Sequence, residues 1–313
     1  MESRQSGSSR SVEGVTVLVP AFNAMPYLEF CIESILCQTY VNFELLILND
    51  GSTDETEVYL NGHKDDRIRI VTKENEGFVK TLNLGLKLAS YNWVARIDAD
   101  DAMAPFRLEK QVEFLEKHPE YRAVSSNYGF LNSQNKKLGI EKRIELEKPP
   151  RFHPVHDPNI LHAGILYNRK DVLSVGGYRE VVPAEDLDLW LRMYPEFPIA
   201  HQREVLTYVR ILTEGISSGN YIKQRAMWSY VKDCDINRRS GLNEEPYEEW
   251  IQRNKAIIDK KRRKWNAGRL VRSAGMEWAR RGRIRCMIYL LGAFWYSPLV
   301  VIEKIASYRS RNV

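Results

Sequence analysis

The sequence predicts an α/β protein: a Rossmann-like, mixed and mainly parallel sheet flanked by helices, followed by a C-terminal helical extension. Three observations predict it. From Val15 to His118, short apolar runs alternate with stretches of helical periodicity, the rhythm of βαβ units. Three of the apolar runs stop abruptly at polar, turn-forming residues, as strands do when they leave a sheet. From about Tyr221 the pattern is helical to the end. The 313 residues and 43% hydrophobic content suffice for one large domain with an appendage.

Val15–Pro20 is an apolar run ended by proline, read as a buried strand. Pro26 suits a first helical turn, and Leu28, Cys31, Ile32, Ile35 and Leu36 share one face of a helix reaching Gln38. Glu44–Leu48 and Arg67–Val71 are the next strands, Phe78–Ala89 the next helix, and Trp93–Ile97 the fourth strand. Pro105–His118 is helical, with Leu108, Val112 and Leu115 inward. Ala123–Leu131 and Glu204–Ile211 read as strands, Ile160–Tyr167 is again apolar, and the charged stretch Lys136–Arg151 reads as a loop or hairpin. Gly176-Gly177 marks a turn, and Glu185–Tyr194 is a helix. In the helical extension, glycines at 241, 268, 275 and 282 are the expected breaks.

In an open sheet of this type, ligands bind beyond the carboxyl ends of the strands. Three polar signatures stand at strand ends: Pro20-Ala21-Phe22-Asn23, Asn49-Asp50-Gly51-Ser52 and Asp98-Ala99-Asp100-Asp101. They are expected to converge on one crevice. The last packs three carboxylates into four residues, which repel one another unless a cation lies against them. An Asp-x-Asp pair at a strand end suits a hard divalent cation, and with it a diphosphate. A calcium loop is disfavoured, because Met103 stands where its glycine belongs and Pro105 lies inside. A phosphatase nucleophile would sit on an earlier strand. Asp98 and Asp100 are the residues assigned to the ligand, and Asp101 is assigned to capping the next segment of chain.

Other residues carry two readings each. Asn49 to Thr56 is either a turn with a capped helix start, or it places Asp50 to accept hydrogen bonds from a base or ribose. Glu185 and Asp186 are either acids favoured by a helix N-terminus or the site of a general base. A sugar hydroxyl has a very high pKa and must lose its proton as it attacks, which a carboxylate on a rigid helix start can accept. Asp188, further along, is assigned to the surface. His162 is either structural or, with Trp190, on the acceptor side. Lys73, Glu74 and Asn75 form a polar loop that reaches toward the nucleotide.

Together these stretches resemble the family 2 glycosyltransferases, inverting enzymes with a GT-A fold, over roughly Val15 to Ser218. Val17–Asn23 looks like that family's opening strand and loop, and Ser34–Tyr40 its first helix end. Leu45–Asp54 resembles its nucleotide-binding strand and turn. Asn75-Glu76-Gly77 and Leu82–Gly85 match the segment after it. Ile97–Asp101 resembles the DxD motif, and Ala184–Trp190 the acceptor-side ED motif. The resemblance implies that Asp50 contacts the nucleobase, with Pro20, Ala21 and Phe22 lining its pocket. It further implies that Asp98 holds the ribose or diphosphate side, Asp100 ligates Mn or Mg, and Asp186, beside Glu185, is the catalytic base. It implies transfer from a nucleotide-diphospho-sugar, most simply a UDP-sugar, to a glycan or lipid-linked acceptor in cell-surface polysaccharide synthesis. One departure stands out. Tyr208-Val209-Arg210-Ile211 is succeeded by Leu212 where many members carry a metal-assisting His.

The alternatives are a sugar-phosphate nucleotidyltransferase and a catalytically inactive nucleotide-sugar-binding scaffold. The first usually has a Gly-rich, basic loop after its first strand, and Ala21–Met25 has neither feature. Intact Asp98, Asp100 and Asp186 argue against the second.

The expected divisions are a disordered tail over 1–12, the glycosyltransferase domain over 13–218, and a basic, membrane-associating helical region over 219–313. The net charge is +5, and Arg253 to Arg285 holds thirteen Lys/Arg against two acids, Asp259 and Glu277. That asymmetry points to an anionic surface as partner. Nucleic acid is disfavoured, because no reading module is recognisable. Cys286–Ile302 is seventeen residues without a charge, interrupted by Pro298. It reads as a core helix, a short transmembrane span or an interfacial helix, the last favoured by Trp295 and Tyr296. The scattered cysteines and the absence of an apolar leader favour a cytoplasmic protein, peripheral on the inner face of a membrane.

Overall fold

The computed structural model describes residues 12–142, 160–211, 221–279 and 283–309. The chain divides into two compact units. One comprises the residues up to Glu180 together with Leu189–Arg210; the other comprises Val181–Asp188 and the residues from Ile211 onward.

The first unit is a nine-stranded mixed sheet flanked by helices. Its chain order is β1 (Val15–Ala21), α1 (Leu28–Leu36), β2 (Phe43–Asp50), α2 (Thr56–Asn61), β3 (Ile68–Lys73), α3 (Phe78–Leu88), β4 (Trp93–Arg96), β5 (Ala102–Met103), α4 (Arg107–Lys117), β6 (Ala123–Leu131), β7 (Lys137–Lys142), β8 (Leu166–Asn168), α5 (Arg169–Ser174) and β9 (Ile199–Arg210). The strands lie in the order β3-β2-β1-β4-β8-β6-β9-β5, with β7 hairpinned on β6. The four N-terminal strands are all parallel. Beyond β4 the pairing is antiparallel except between β6 and β9. β1 is buried along its whole length, which is why it reads as a continuous apolar run. The expected helical faces of α1, α3 and α4 are the buried ones.

Only five residues separate β4 from β5 in the chain, yet three strands lie between them in the sheet. In a flat sheet that gap would be about 19 Å, at roughly 4.8 Å per strand. Residues 97–101 are not extended, since the Asp101 amide donates back to the Asp98 carbonyl at 3.1 Å. The sheet therefore curls into a half-barrel around the acidic turn.

The apolar stretch Ile160–Tyr167 forms a 3-10 turn, His162–Gly164, leading into the three-residue β8. Arg107, fully buried on α4, ties this turn to β4: its guanidinium donates to the carbonyls of Ala163 (2.8 Å), Arg96 (2.9 Å) and Ile165 (3.2 Å). One expectation needs correction here. β9 starts at Ile199, earlier than expected, because its first residues pair with Ala123–Ser126 of β6. Of the charged stretch, 137–142 is the second strand of the hairpin; 143–151 lies outside the described residues.

The second unit is helical: α7 (Tyr221–Arg239), α8 (Tyr247–Arg253), α9 (Lys255–Ala279), α10 (Arg283–Tyr296) and α11 (Pro298–Arg309). α6 (Glu185–Met193) opens in this unit. Gly241, just past the end of α7, has φ +70°, as expected of a break. Gly268 and Gly275 do not break the chain; both lie within α9. At Gly268 a Cβ would come within 2.9 Å of the Tyr221 hydroxyl, so the glycine serves close packing of α7 against α9. Gly282 lies outside the described residues. Pro298 separates α10 from α11 and takes the first helical position. Among the described residues, no helix is long and apolar enough to cross a membrane.

Arg107→Met keeps the bulk but removes the donors that hold three buried carbonyls. The Ile165 carbonyl keeps the Arg96 amide as donor, so chemical denaturation is expected to show a loss of about 2 kcal/mol or more, at roughly 1 kcal/mol or more for each of the other two acceptors. A loss below about 1 kcal/mol would show that the guanidinium does not organise this junction.

Candidate active site

The register of the parallel strands brings the three polar signatures side by side. Ala21 pairs with Asn49 across β1 and β2, and Leu18 pairs with Arg96 across β1 and β4. The carboxyl ends of β2, β1 and β4 are thus neighbours, and Pro20, Ala21, Phe22, Asp50, Asp98 and Asp100 all leave the sheet on that edge. Pro20 and Ala21 are buried, whereas Phe22 is exposed.

The loops after β1 and β2 are tied together. Asn23 N–H donates to Ser52 Oγ (2.9 Å), Ala24 N–H to Thr56 Oγ1 (2.9 Å) and Met25 N–H to Asp54 Oδ2 (3.1 Å). Thr53 N–H returns a bond to Asn23 Oδ1 (2.8 Å). The Ser/Thr/Asp run therefore clamps the neighbouring loop as well as starting α2, where Asp54 Oδ1 accepts the Thr56 amide at 3.0 Å.

Asp50 is nearly buried at the end of β2. Oδ1 accepts the Glu76 amide (3.0 Å) and the Lys73 ammonium, while Oδ2 accepts the Gly77 amide (3.0 Å). Gly77 precedes α3, so the carboxylate also sits at the positive end of that helix. Burial pushes its carboxyl up, but the hydrogen bonds from Lys73 and Glu76 outweigh this and hold it below the usual range. The Thr81 side chain adds a further hydrogen bond to it. Lys73, expected in the polar loop, is instead the last residue of β3, paired with Asp50 across the sheet.

The acidic turn carries the strongest electrostatic signal. Ligand oxygens of Asp98, Asp100 and Asp101 all lie within 4.8 Å of one another. Burial, and then the Asp98 charge, raise the Asp100 carboxyl to about 6. Asp101 is buried, and its carboxyl is raised well above the usual range by burial and then by Asp100. The expectation that Asp101 caps the next segment is overturned: it accepts the Arg210 amide at 2.8 Å, and α4 begins only at Arg107. Two cations counter the cluster. Arg96, buried on β4, pairs with Asp98 and lies 5.3 Å from the Phe78 ring centroid. Arg210, at the end of β9, donates to the Asp100 carbonyl (2.7 Å) and lies 4.4 Å over the Tyr27 ring. Motif reasoning missed both arginines, although an Arg inside the apolar run Trp93–Ile97 is itself a signal of a buried partner. Hard oxygen donors crowded to this degree fit Mn²⁺ or Mg²⁺. Leu212 lies outside the described residues.

His162 and Trp190 lie in the first unit and meet inside its core. The His162 ring is 6.0 Å from Trp190 and 6.3 Å from Phe78, and its Nε2 is 2.8 Å from the Tyr178 hydroxyl. Burial, and then Arg96, drive its pKa well down, so the imidazole is neutral. Glu185 and Asp186 belong to the second unit, in the first turn of α6. Glu185 is buried, and half-buried Asp186 accepts the Leu187 amide at 2.7 Å. Asp188, expected at the surface, is buried, because it shares a helical face with Ala184 and Leu191.

A curled mixed sheet with a carboxylate turn beyond its parallel strands defines a GT-A type of nucleotide-sugar fold. The chain belongs to glycosyl transferase family 2, whose model matches residues 16–173, just over half of the chain. It is 33% identical over 213 residues to an uncharacterised glycosyltransferase of Haemophilus influenzae, covering 63% of this chain and 65% of that protein. It is 30% identical over 211 residues to the amylovoran biosynthesis glycosyltransferase AmsE of Erwinia amylovora, covering 66% and 76%. Among solved structures, its fold is similar to S. aureus TarS 1-349 in complex with UDP-GlcNAc (TM-score 0.61, 16% identity, 90% of this chain and 91% of that one). It is also similar to the mannosyltransferase PcManGT of Pyrobaculum calidifontis in complex with GDP-Man and Mn²⁺ (TM-score 0.53, 18% identity, 91% and 86%).

The raised carboxyls of Asp100 and Asp101 set a pH dependence. A carboxyl whose folded pKa exceeds its unfolded value contributes stability at low pH that is lost as pH rises through the folded value. For Asp100 that window runs from 3.8 to about 6. Added Mn²⁺ or Mg²⁺ is expected to raise Tm more at about pH 7 than at about pH 5, and Asp100→Asn is expected to shrink the increment. Differential scanning fluorimetry checks this; an increment independent of pH and of Asp100 would place cation binding elsewhere.

Proposed function

We propose that this chain transfers a sugar, with inversion at the anomeric carbon, from a nucleotide-diphospho-sugar to a hydroxyl of a glycan or lipid-linked acceptor. A UDP-sugar is the proposed donor, and cell-surface polysaccharide synthesis the proposed setting. The observation that carries this reading is the juxtaposition, on adjacent strand ends, of the Asp50 clamp and the Asp98–Asp101 turn. The family supports it, as do the UDP-GlcNAc complex of TarS and the naming of AmsE for amylovoran biosynthesis.

In this reading Asp50 accepts a hydrogen bond from the base. The backbone of Pro20, Ala21 and Phe22 lines the same pocket. Asp98 orients the ribose or diphosphate side. A divalent cation held by Asp100 would supply positive charge against the leaving diphosphate. Asp186, with Glu185 beside it, takes the proton of the acceptor hydroxyl. As that oxygen bonds to the anomeric carbon, the bond to the diphosphate breaks and a nucleoside diphosphate leaves. His162 and Trp190 are proposed to contribute to acceptor recognition.

The expected outcome of Asp186→Asn is a fall in kcat by roughly 10²–10⁴, the range of a general base, with donor affinity unchanged. Asp100→Asn should lose turnover and cation-dependent donor binding together. Anomeric proton NMR of the product reads the stereochemistry. Wild-type turnover in Asp186→Asn would sink the base assignment, and retention of configuration would sink the single displacement.

We further propose that the protein works as a cytoplasmic, peripheral enzyme on the inner face of an anionic membrane. On α10, Ile284, Ile288, Leu291 and Trp295 recur at helical spacing and are all exposed, and Leu299 and Ile302 continue the apolar surface on α11. Leu291→Gln with Trp295→Gln is expected to move the protein from the pellet to the supernatant when sedimented with anionic vesicles. An unchanged distribution would overturn the membrane reading.

A further inference from the structure

The second unit contains a cleft that the transfer reaction does not use. Arg225, Trp228 and Lys232 repeat at three- and four-residue steps along one face of α7, and Lys261, Lys264 and Trp265 do so on α9. These six, with Ser229, line a cavity of about 270 Å³. Four of the side chains are cationic, and no carboxylate lines the cavity. Among the described residues, none of the four is in a salt bridge, although ion pairs are formed elsewhere in this unit, at Arg238, Arg239 and Arg253. Crowding of like charge is costly and is relieved by an anion. Lys232 registers it: burial, and then Arg225, lower its pKa.

The donors are also arranged for a ligand. Arg225 is held from one side, since Nε and Nη2 donate to the Tyr221 hydroxyl at 3.1 and 2.9 Å. Its guanidinium carbon lies 5.1 Å from the Trp228 ring centroid. The buried Trp228 indole N–H has no acceptor among the described residues. A fixed guanidinium, ammonium groups and an unmet N–H together match the several oxygens of a phosphate. The cavity is smaller than the ~300–1,000 Å³ of pockets for drug-sized ligands, which suits a head group and not a nucleotide.

We propose that the α7–α9 cleft binds a phosphate ester, gripped by Arg225, Lys232, Lys261, Lys264 and the Trp228 indole N–H. The ester comes either from a soluble metabolite or from an anionic lipid head group. The site is independent of the donor pocket and of the apolar face of α10.

Calorimetric titration of the full chain with sn-glycerol 3-phosphate, and cosedimentation with phosphatidic acid or phosphatidylcholine vesicles, test it. Arg225→Gln with Lys232→Gln is expected to weaken binding by at least about tenfold, given what charge-assisted hydrogen bonds contribute. Arg262→Gln with Arg263→Gln removes the same charge from α9 outside the cleft lining and is expected to change affinity by less than about threefold. Ser229→Leu, which fills the cleft without altering charge, should weaken binding as the cleft pair does. Cleft-dependent binding of the soluble ester assigns the site to a soluble ligand. Cleft-dependent binding of phosphatidic acid vesicles alone assigns it to a lipid head group. Equal weakening by the two charge pairs, or binding of neither probe, overturns the proposal. Leu291→Gln with Trp295→Gln should leave the soluble titration unchanged, which separates failure of this site from failure of the membrane reading.

Discussion

The first unit depends on one electrostatic constraint: three carboxylates leave the sheet within four residues, and Asp101 among them is buried. Left alone they would protonate or push the turn apart. The fold answers with guanidinium groups delivered from different elements. Arg96 comes from the same strand, two residues before the turn, and Arg210 from the end of β9. Arg107 from α4 secures the carbonyls around the strand end. Arginine suits all three places because its fixed fork satisfies several acceptors and its charge survives burial. Enough repulsion remains, seen in the raised Asp100, to favour a cation from solution. The same logic, in milder form, binds Lys73 to Asp50.

Most of the sheet is legible in the sequence where local signals agree with the final packing. β1, β2 and β4 are continuous apolar runs buried on both faces, and α1, α3 and α4 carry clean stripes. The strand-end carboxylates are legible too, because three acids in four residues have few uses. The illegible parts depend on distant partners. β5 is two residues long and exists only through pairing with Thr207 and Tyr208. The 3-10 turn before β8 is held by Arg107 from another element. Asp188 reads as a surface acid until the helical face it shares with Ala184 and Leu191 is seen to be inside. Gly268 reads as a break because its role, contact with Tyr221 and not backbone freedom, involves a residue far away in the chain.

The two units use charge in opposite ways. In the first, cations are matched to excess acid, so the site is poised for a positive ion. In the second, cations face one another across α7 and α9 with no acid lining the space between them. Net charge conceals this. The modest total of +5 is the sum of two surfaces with opposite appetites.

The bond between the Arg210 amide and Asp101 spans 109 residues of chain. On a ribosome adding about 5–20 residues per second, the acidic turn emerges roughly 5–20 s before the strand that neutralises it. Through that interval Arg96 of the same strand is already at hand for Asp98, whereas Asp101 has only water to offer it a donor. β5, which pairs with β9, can join the sheet only once β9 has been made. Charge compensation of the turn is thus divided between a partner made just before it and one made more than a hundred residues later.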